Sequence, residues 1–369
     1  MDLLKRQLIQ YGMELGFDSL RVTGTEPLSL WQSQVELRKE KDPSSSYLWD
    51  NMHYDPRAIM PEAKSIIVAI RPHTPHKVSF SKGIARFSAY YREYPKGRDG
   101  GRQLGLFLEG KGYKAIVQPP LPAKEIAFRA GIGYFGKNGL IHTEEHGSWI
   151  SLHYILTNAP LVPDQPMDRI SDCGDCQLCM DACPMGAIEK EGQVTPSKCI
   201  RYYMLSSDFI PLEIRDKMGL NILGCDICQT VCPFNRLGVL DASLPQPDEM
   251  ELFDIGKILE EGSISLKDRM NRLGDLIGRN YARAQKILSA ATILAGNSGD
   301  SSYLPYLTKL LTHPHPPIRA HSAWAIGKIG HKGYRDILSR ALVGEEDQKV
   351  IEEIHGALNS NKYKEQNKE

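Results

Sequence analysis

The chain has 369 residues, 41% hydrophobic and 24% charged, with 45 lysines and arginines balancing 45 aspartates and glutamates. That length accommodates about two to three domains with substantial cores and excludes a small disulfide scaffold, and the composition is near that of soluble globular proteins. Balanced charge removes a whole-molecule field for nucleic acid or anionic lipid, leaving only local patches, and no apolar run approaches the ~20 residues of a membrane span.

The first ten positions mix Asp2, Lys5 and Arg6 into apolar sites, unlike a secretory signal, so a reducing, cytoplasmic location away from membrane is expected. Leu4, Leu8, Tyr11 and Leu15 mark one face of a helix that Gly16 ends. A Pro/Ser-rich loop is expected around Asp42 to Tyr47, then a buried strand from Ser65 to Ile70 and a loop from Arg71 to Lys82. Lys114 to Gln118 reads as a further strand, and Gly139 to Thr143 with Ser148 to Asn158 reads as a hairpin turning at His146 and Gly147. Residues 1–160 therefore form a mixed α+β N-terminal domain. Three prolines between Pro160 and Pro166 mark a boundary, residues 161–240 form a ferredoxin-like domain, and a Pro/Asp-rich linker spans Asp241 to Glu249. Residues 251–369 read as helical, with a 31-residue repeat that matches Gly296 to Gly327, Gly299 to Gly330, Tyr303 to Tyr334, Leu307 to Leu338 and Leu311 to Leu342. Helix pairs repeating on this scale stack into HEAT-like solenoids, which serve either as a cap on the rest of the chain or as a partner surface.

All eight cysteines lie between positions 173 and 232. Clustered cysteines in a reducing compartment read as metal ligands or redox groups rather than disulfides. Cys173, Cys176, Cys179 and Cys183-Pro184 follow the bacterial ferredoxin spacing, and Cys225, Cys228 and Cys232-Pro233 repeat its last three positions, with Cys199 supplying the missing ligand from a distance. The ligand exchange of two-cluster ferredoxins assigns Cys173, Cys176, Cys179 and Cys232 to one [4Fe-4S] cluster, and Cys183, Cys199, Cys225 and Cys228 to the other. Two four-cysteine zinc sites are the alternative, although zinc does not require the repeated run before proline.

Gly131, Gly133 and Gly136 spell G-x-G-x-x-G, but the apolar face of Ala123, Ile126, Ala127 and Ala130 puts a helix where a dinucleotide site needs a strand. A helix end and tight turn followed by Lys137 and Asn138 is the expectation. Glu125 and Arg129, four apart, read as a solvated ion pair or as an acid with a task in catalysis. His73, His76, His313 and His315 sit beside prolines in loop-like stretches and are expected to be exposed, and no Asp-x-His-x-x-Gly announces histidine-ligated cobalamin. Arg272, Arg279, Arg283 and Lys286 fall at offsets 0, 7, 11 and 14, which predicts one cationic helix face, either solvated or set against RNA phosphates.

These residues together resemble the epoxyqueuosine reductases, iron-sulfur and cobalamin enzymes acting in queuosine formation in tRNA. The resemblance rests on Asp55-Pro56-Arg57, Ala85-Arg86-Phe87, Arg129 to Gly133 leading into Gly136-Lys137-Asn138, Gly147-Ser148-Trp149, the cysteine spacing with its distant Cys199, and Gly296 to Asp300. It implies base-off cobalamin between the N-terminal and cluster parts, an external electron donor, tRNA as substrate, and reduction of an epoxide to an alkene with loss of water. By position it implies that Arg57, Lys137, Asn138, Gly147 and Ser148 neighbour the corrin. Two departures touch the implied substrate pocket. Ala123 stands where the family has a proton-donating Asp or Glu, leaving Glu125 as the nearest acid, and Glu93-Tyr94-Pro95 replaces the family's Asp-Tyr-His. The expected activity is therefore epoxyqueuosine reduction. The alternatives are a related corrinoid reductase with a different small-molecule substrate and a non-catalytic two-cluster electron carrier.

Overall fold

A run that is apolar on both sides suits a strand covered on both faces, and Ser65 to Ile70 is buried throughout. The computed structural model describes residues 3–74, 82–190, 192–204, 206–235 and 247–359. These divide into two compact units, residues 1–75, 89–199 and 226–243, and residues 76–88, 200–225 and 244–369. His76 and most of the expected 241–249 linker lie outside the described residues, while Pro247–Leu252 is a short helix.

In the first unit the elements that carry the core are α1 (Leu3–Glu14), β1 (Ser19–Thr23), α2 (Ser29–Lys41), β2 (Ser65–Pro72), α3 (Ala89–Gly110), β3 (Ala115–Val117), α4 (Ala123–Arg129) and β4 (Ile150–Thr157). The strands form one antiparallel sheet in the order β1-β2-β4-β3, with Ser19 opposite Ile70 and Ser65 opposite Thr157. Side chains alternate across it, as a two-residue period requires. Ile67, Ala69 and Ile155 pack with Leu8, Leu104 and Leu108, whereas Ile66, Val68 and Leu156 pack with Ile126, Ala127 and Ala130. The sheet is thus covered by α1 and α3 on one face and α4 on the other.

The first helix forms as its apolar stripe predicts, and Gly16 beyond it has φ of +82°. Two loop expectations change. Asp42 accepts hydrogen bonds from the hydroxyls of Ser44 (2.6 Å) and Ser45 (2.8 Å) and from the Ser197 amide (3.0 Å), and this anchor folds Pro43–Trp49 into a 3-10 helix. The expected hairpin forms only at its tip, where Thr143 and Gly147 bridge, because Ile141–His142 pairs instead with Tyr134–Phe135 and β4 joins the large sheet. The G-x-G-x-x-G stretch does follow a helix, α4, and Gly131 turns the chain with φ of +72°.

In the second unit the helices α5 (Ala284–Ser298), α6 (Pro316–Ile329) and α7 (Gln348–Asn359) pack in succession. The 31-residue repeat is a packing repeat. A Cβ on Gly296 would meet Ala325 Cα at 2.9 Å, and one on Gly327 would meet Ala357 Cβ at 2.7 Å, so each glycine lets one helix touch the next. Gly299 and Gly330 end their helices in the left-handed region, and Leu307 and Leu338 are fully buried. The single four-cation helix face is not formed. Gly278 ends the Lys267–Ile277 helix, so Arg272 lies on that helix, Arg279 and Arg283 lie in the connection, and Lys286 lies on α5. Arg272 pairs with Glu251 at 3.3 Å. Among the described residues no helix is long and apolar enough to cross a membrane.

Candidate metal centre

The cysteine spacing folds locally into tight turns. The Cys176 amide donates to Cys173 O (3.0 Å) and the Cys183 amide to Met180 O (3.2 Å), around the short helix Leu178–Asp181. Ile227–Thr230 makes a second short helix, after which the Cys232 amide donates to Gln229 O (3.2 Å). None of the eight thiols is in a disulfide.

Cys173, Cys176, Cys179 and Cys232 line one cavity, with Lys137, Asn138, His142 and Phe234 around it. Burial, followed by the charges of Cys173 and Cys232, pushes the Cys179 thiol up to about 11. Cys232 is likewise raised, first by burial and then by Cys173 and Cys176. Four thiolates this close repel one another, and a strongly cationic iron centre offsets that repulsion, so the donor set fits a four-iron cluster. In the second set Cys183 Sγ accepts from the Ala187 amide at 3.2 Å. Cys183, Cys199 and Cys228 belong to the first unit and Cys225 to the second.

The turn after α4 reaches the first set directly. The Lys137 amide donates to Cys173 Sγ (3.4 Å), and Lys137 Nζ to Gly174 O (2.6 Å). Asn138 Oδ1 accepts from the Leu140 amide (3.2 Å) and from His142 Nε2 (3.2 Å). Burial takes His142 down to about 4, so its ring is neutral with the proton on Nε2. Gly147 and Ser148 contact the second cysteine loop. A Cβ on Gly147 would collide with Asn235 Oδ1, which accepts from the Ser148 amide (2.7 Å), while Ser148 Oγ donates to Gln229 Oε1 (3.1 Å). Arg57 is exposed, on a short helix capped by Asp55. The structure therefore gathers Lys137, Asn138, Gly147 and Ser148 about the cysteine loops, and places Arg57 on the surface of a separate short helix. His142, Gln229, Phe234 and Asn235 escaped sequence reasoning, because none belongs to a spaced motif.

Glu125 is 3% exposed and its carboxylate accepts from the Trp31 amide at 2.7 Å. Burial raises its pKa, while the Trp31 and Leu30 amides and Arg129 act in the opposite direction. The expected Glu125–Arg129 surface pair is replaced: Arg129 pairs with Glu26 at 2.7 Å, and Glu125 turns inward to the first turn of α2, where Leu28 offers no side-chain cap. His73 is also buried rather than exposed, at 6%, because its ring sits edge-on against Trp149 and Tyr90. Among the described residues neither of its ring nitrogens has a hydrogen-bond partner, and burial takes it down to about 4.

Residues 172–235 match the 4Fe-4S double cluster binding domain family and residues 282–359 match HEAT repeats. The chain is 32% identical to epoxyqueuosine reductase of Bacillus subtilis (strain 168), covering 96% of this chain and 95% of that protein. It is 31% identical to the epoxyqueuosine reductase of Bacillus cereus, over 96% and 97% of the two chains. A crystal structure of epoxyqueuosine reductase with an epoxyqueuosine-modified stem loop of tyrosine tRNA superposes with a TM-score of 0.84 at 29% identity, covering 96% of this chain and 98% of that one.

Proposed function

The chain belongs to the epoxyqueuosine reductase family, and from that premise we propose that it reduces epoxyqueuosine to queuosine in tRNA. The observation that carries this reading is the gathering of Cys173, Cys176, Cys179 and Cys232 around one cavity, beside the Lys137-Asn138 turn, in a chain that aligns with a reductase over nearly its whole length. Loss of an epoxide oxygen as water consumes two electrons and two protons, so the protein needs a supply of single electrons, a place to collect them and a proton source. When bound, two [4Fe-4S] clusters supply the electrons and cobalamin supplies the metal that acts on the epoxide.

The eight cysteines would hold the clusters in the two sets assigned by spacing. Cobalamin, when bound, would be held beside Lys137, Asn138, Gly147 and Ser148, and near Trp149 His73 has two buried ring nitrogens without a hydrogen-bond partner among the described residues, which suit an amide-fringed macrocycle. Asn235 and Gln229 fix the Ser148 main chain and hydroxyl, so the cysteine loop that carries Cys228 and Cys232 sets the position of that turn. Arg279, Arg283 and Lys286 are the phosphate contacts of this reading. The first turn of α5 carries no acid, and burial together with the neighbouring Arg283 charge lowers Lys286. An external electron donor and a cytoplasmic setting complete it, since free thiol ligands persist in a reducing compartment.

Nucleoside analysis of tRNA from a reductase-deficient strain tests the function. Expression of this chain is expected to convert epoxyqueuosine to queuosine. Unchanged epoxyqueuosine beside cluster-loaded protein would favour a corrinoid reductase with another substrate, the reading that Ala123 and Pro95 support; Pro95 is buried within α3.

A further inference from the structure

Lys137 does more than border a cofactor. Only 6% of it is exposed, its Nζ donates to the carbonyl between two cluster ligands, Gly174 O at 2.6 Å, and its own amide donates to Cys173 Sγ at 3.4 Å. Lys137 lines the same cavity as the four cysteines. A [4Fe-4S] centre gains one negative charge when it takes an electron. A fixed positive charge in a water-poor wall stabilises the reduced form more than the oxidised one, and an amide donated to a ligand sulfur acts in the same direction.

We infer that Lys137 is a positioning residue for the cluster held by Cys173, Cys176, Cys179 and Cys232, pinning the ligand loop and raising that cluster's reduction potential above the value it would have beside a neutral side chain. The inference rests on the reading that these four cysteines hold iron. Its consequence is directional: electrons delivered singly are drawn toward the cluster next to the Lys137-Asn138 turn.

The test is a potentiometric titration followed by electron paramagnetic resonance on the full chain, reconstituted anaerobically, as wild type, Lys137→Gln and Lys137→Arg. The Gln variant is expected to keep about eight iron, as two four-iron clusters require. Its reduced-to-oxidised ratio at fixed potential should fall by about tenfold for one cluster, a downward shift of about 59 mV for one electron. The other midpoint should stay in place, and Lys137→Arg should return the first toward wild type. Iron lost from Lys137→Gln and regained in Lys137→Arg also supports a requirement for the charge. Unchanged midpoints at full iron overturn the inference and leave the cluster reading intact. Equal shifts of both midpoints, or iron loss that Lys137→Arg does not restore, overturn it too and reduce Lys137 to a fastener of the loop. A wild-type protein without iron-sulfur signals overturns the cluster reading itself.

Discussion

Glu125 shows how a single buried acid acquires its role from a partner far away in sequence. The first turn of α2 lacks a capping side chain, and the Glu125 carboxylate, 94 positions further along the chain, takes the Trp31 amide. Glu125→Ala should therefore lower stability by about 1 to 2 kcal/mol in urea denaturation, a cap-sized loss, whereas Glu125→Gln keeps an acceptor oxygen and costs less. Turnover separates capping from proton donation: the Gln variant is expected to remain active, and its inactivity at full cluster content would make Glu125 the acid that Ala123 cannot be. A second residue-scale prediction concerns His321. It is fully buried, its Nε2 accepts from the Ile210 amide (3.0 Å), and its Nδ1 therefore donates to Ser289 Oγ (2.7 Å). Burial, with Arg215 adding to it, holds His321 well below 6.5, so the folded protein refuses a proton that the unfolded chain accepts. Its contribution is present above pH 6.5 and is lost as pH falls, by about 1.4 kcal/mol per pH unit. His321→Gln should reduce the decline of stability between pH 6.5 and 5, to which the buried His73 and His142 also contribute; an unchanged slope would show that His321 contributes nothing to it. The closeness of Cys173, Cys176 and Cys179 was legible because their spacing is local, while Glu125 and His321 were not, because nothing beside them in sequence names their partners.

Among the elements, α3 was the least legible. Ala89–Gly110 contains Pro95 and Gly97, Gly100, Gly101 and Gly105, a composition that denotes turns by propensity. Tertiary packing reverses that preference: a Cβ on Gly97 would run into the His153 ring, and one on Gly105 would meet Val117 at 2.9 Å, so the glycines let the helix lie close to the sheet. Gly97→Ala should thus destabilise the protein by about 1 to 3 kcal/mol, the range for forcing extra volume into a packed interior. A denaturation midpoint equal to wild type would contradict the close approach. The HEAT-like repeat was legible for the opposite reason, because Gly296 and Gly327 do the same job at the same offset. The cationic stripe misled because offsets were counted as though one helix ran through Gly278, which in fact ends it.

At the scale of the whole molecule, a balanced charge of 45 against 45 means that the tRNA of the proposed function would be bound by local cations. Replacing Arg279 and Arg283 with serine should weaken binding uniformly across sequences and lower the slope of log affinity against log salt by about one for each lost phosphate contact; a slope equal to wild type would remove them from the interface. The family relationship spans 96% of the chain, so the functional account stands or falls as one piece with its electron supply. The most direct measurement is metal and acid-labile sulfide analysis of protein purified without air. Two clusters on eight cysteines predict about eight iron and eight sulfide per chain, and tightly held zinc with neither iron nor sulfide would contradict the account.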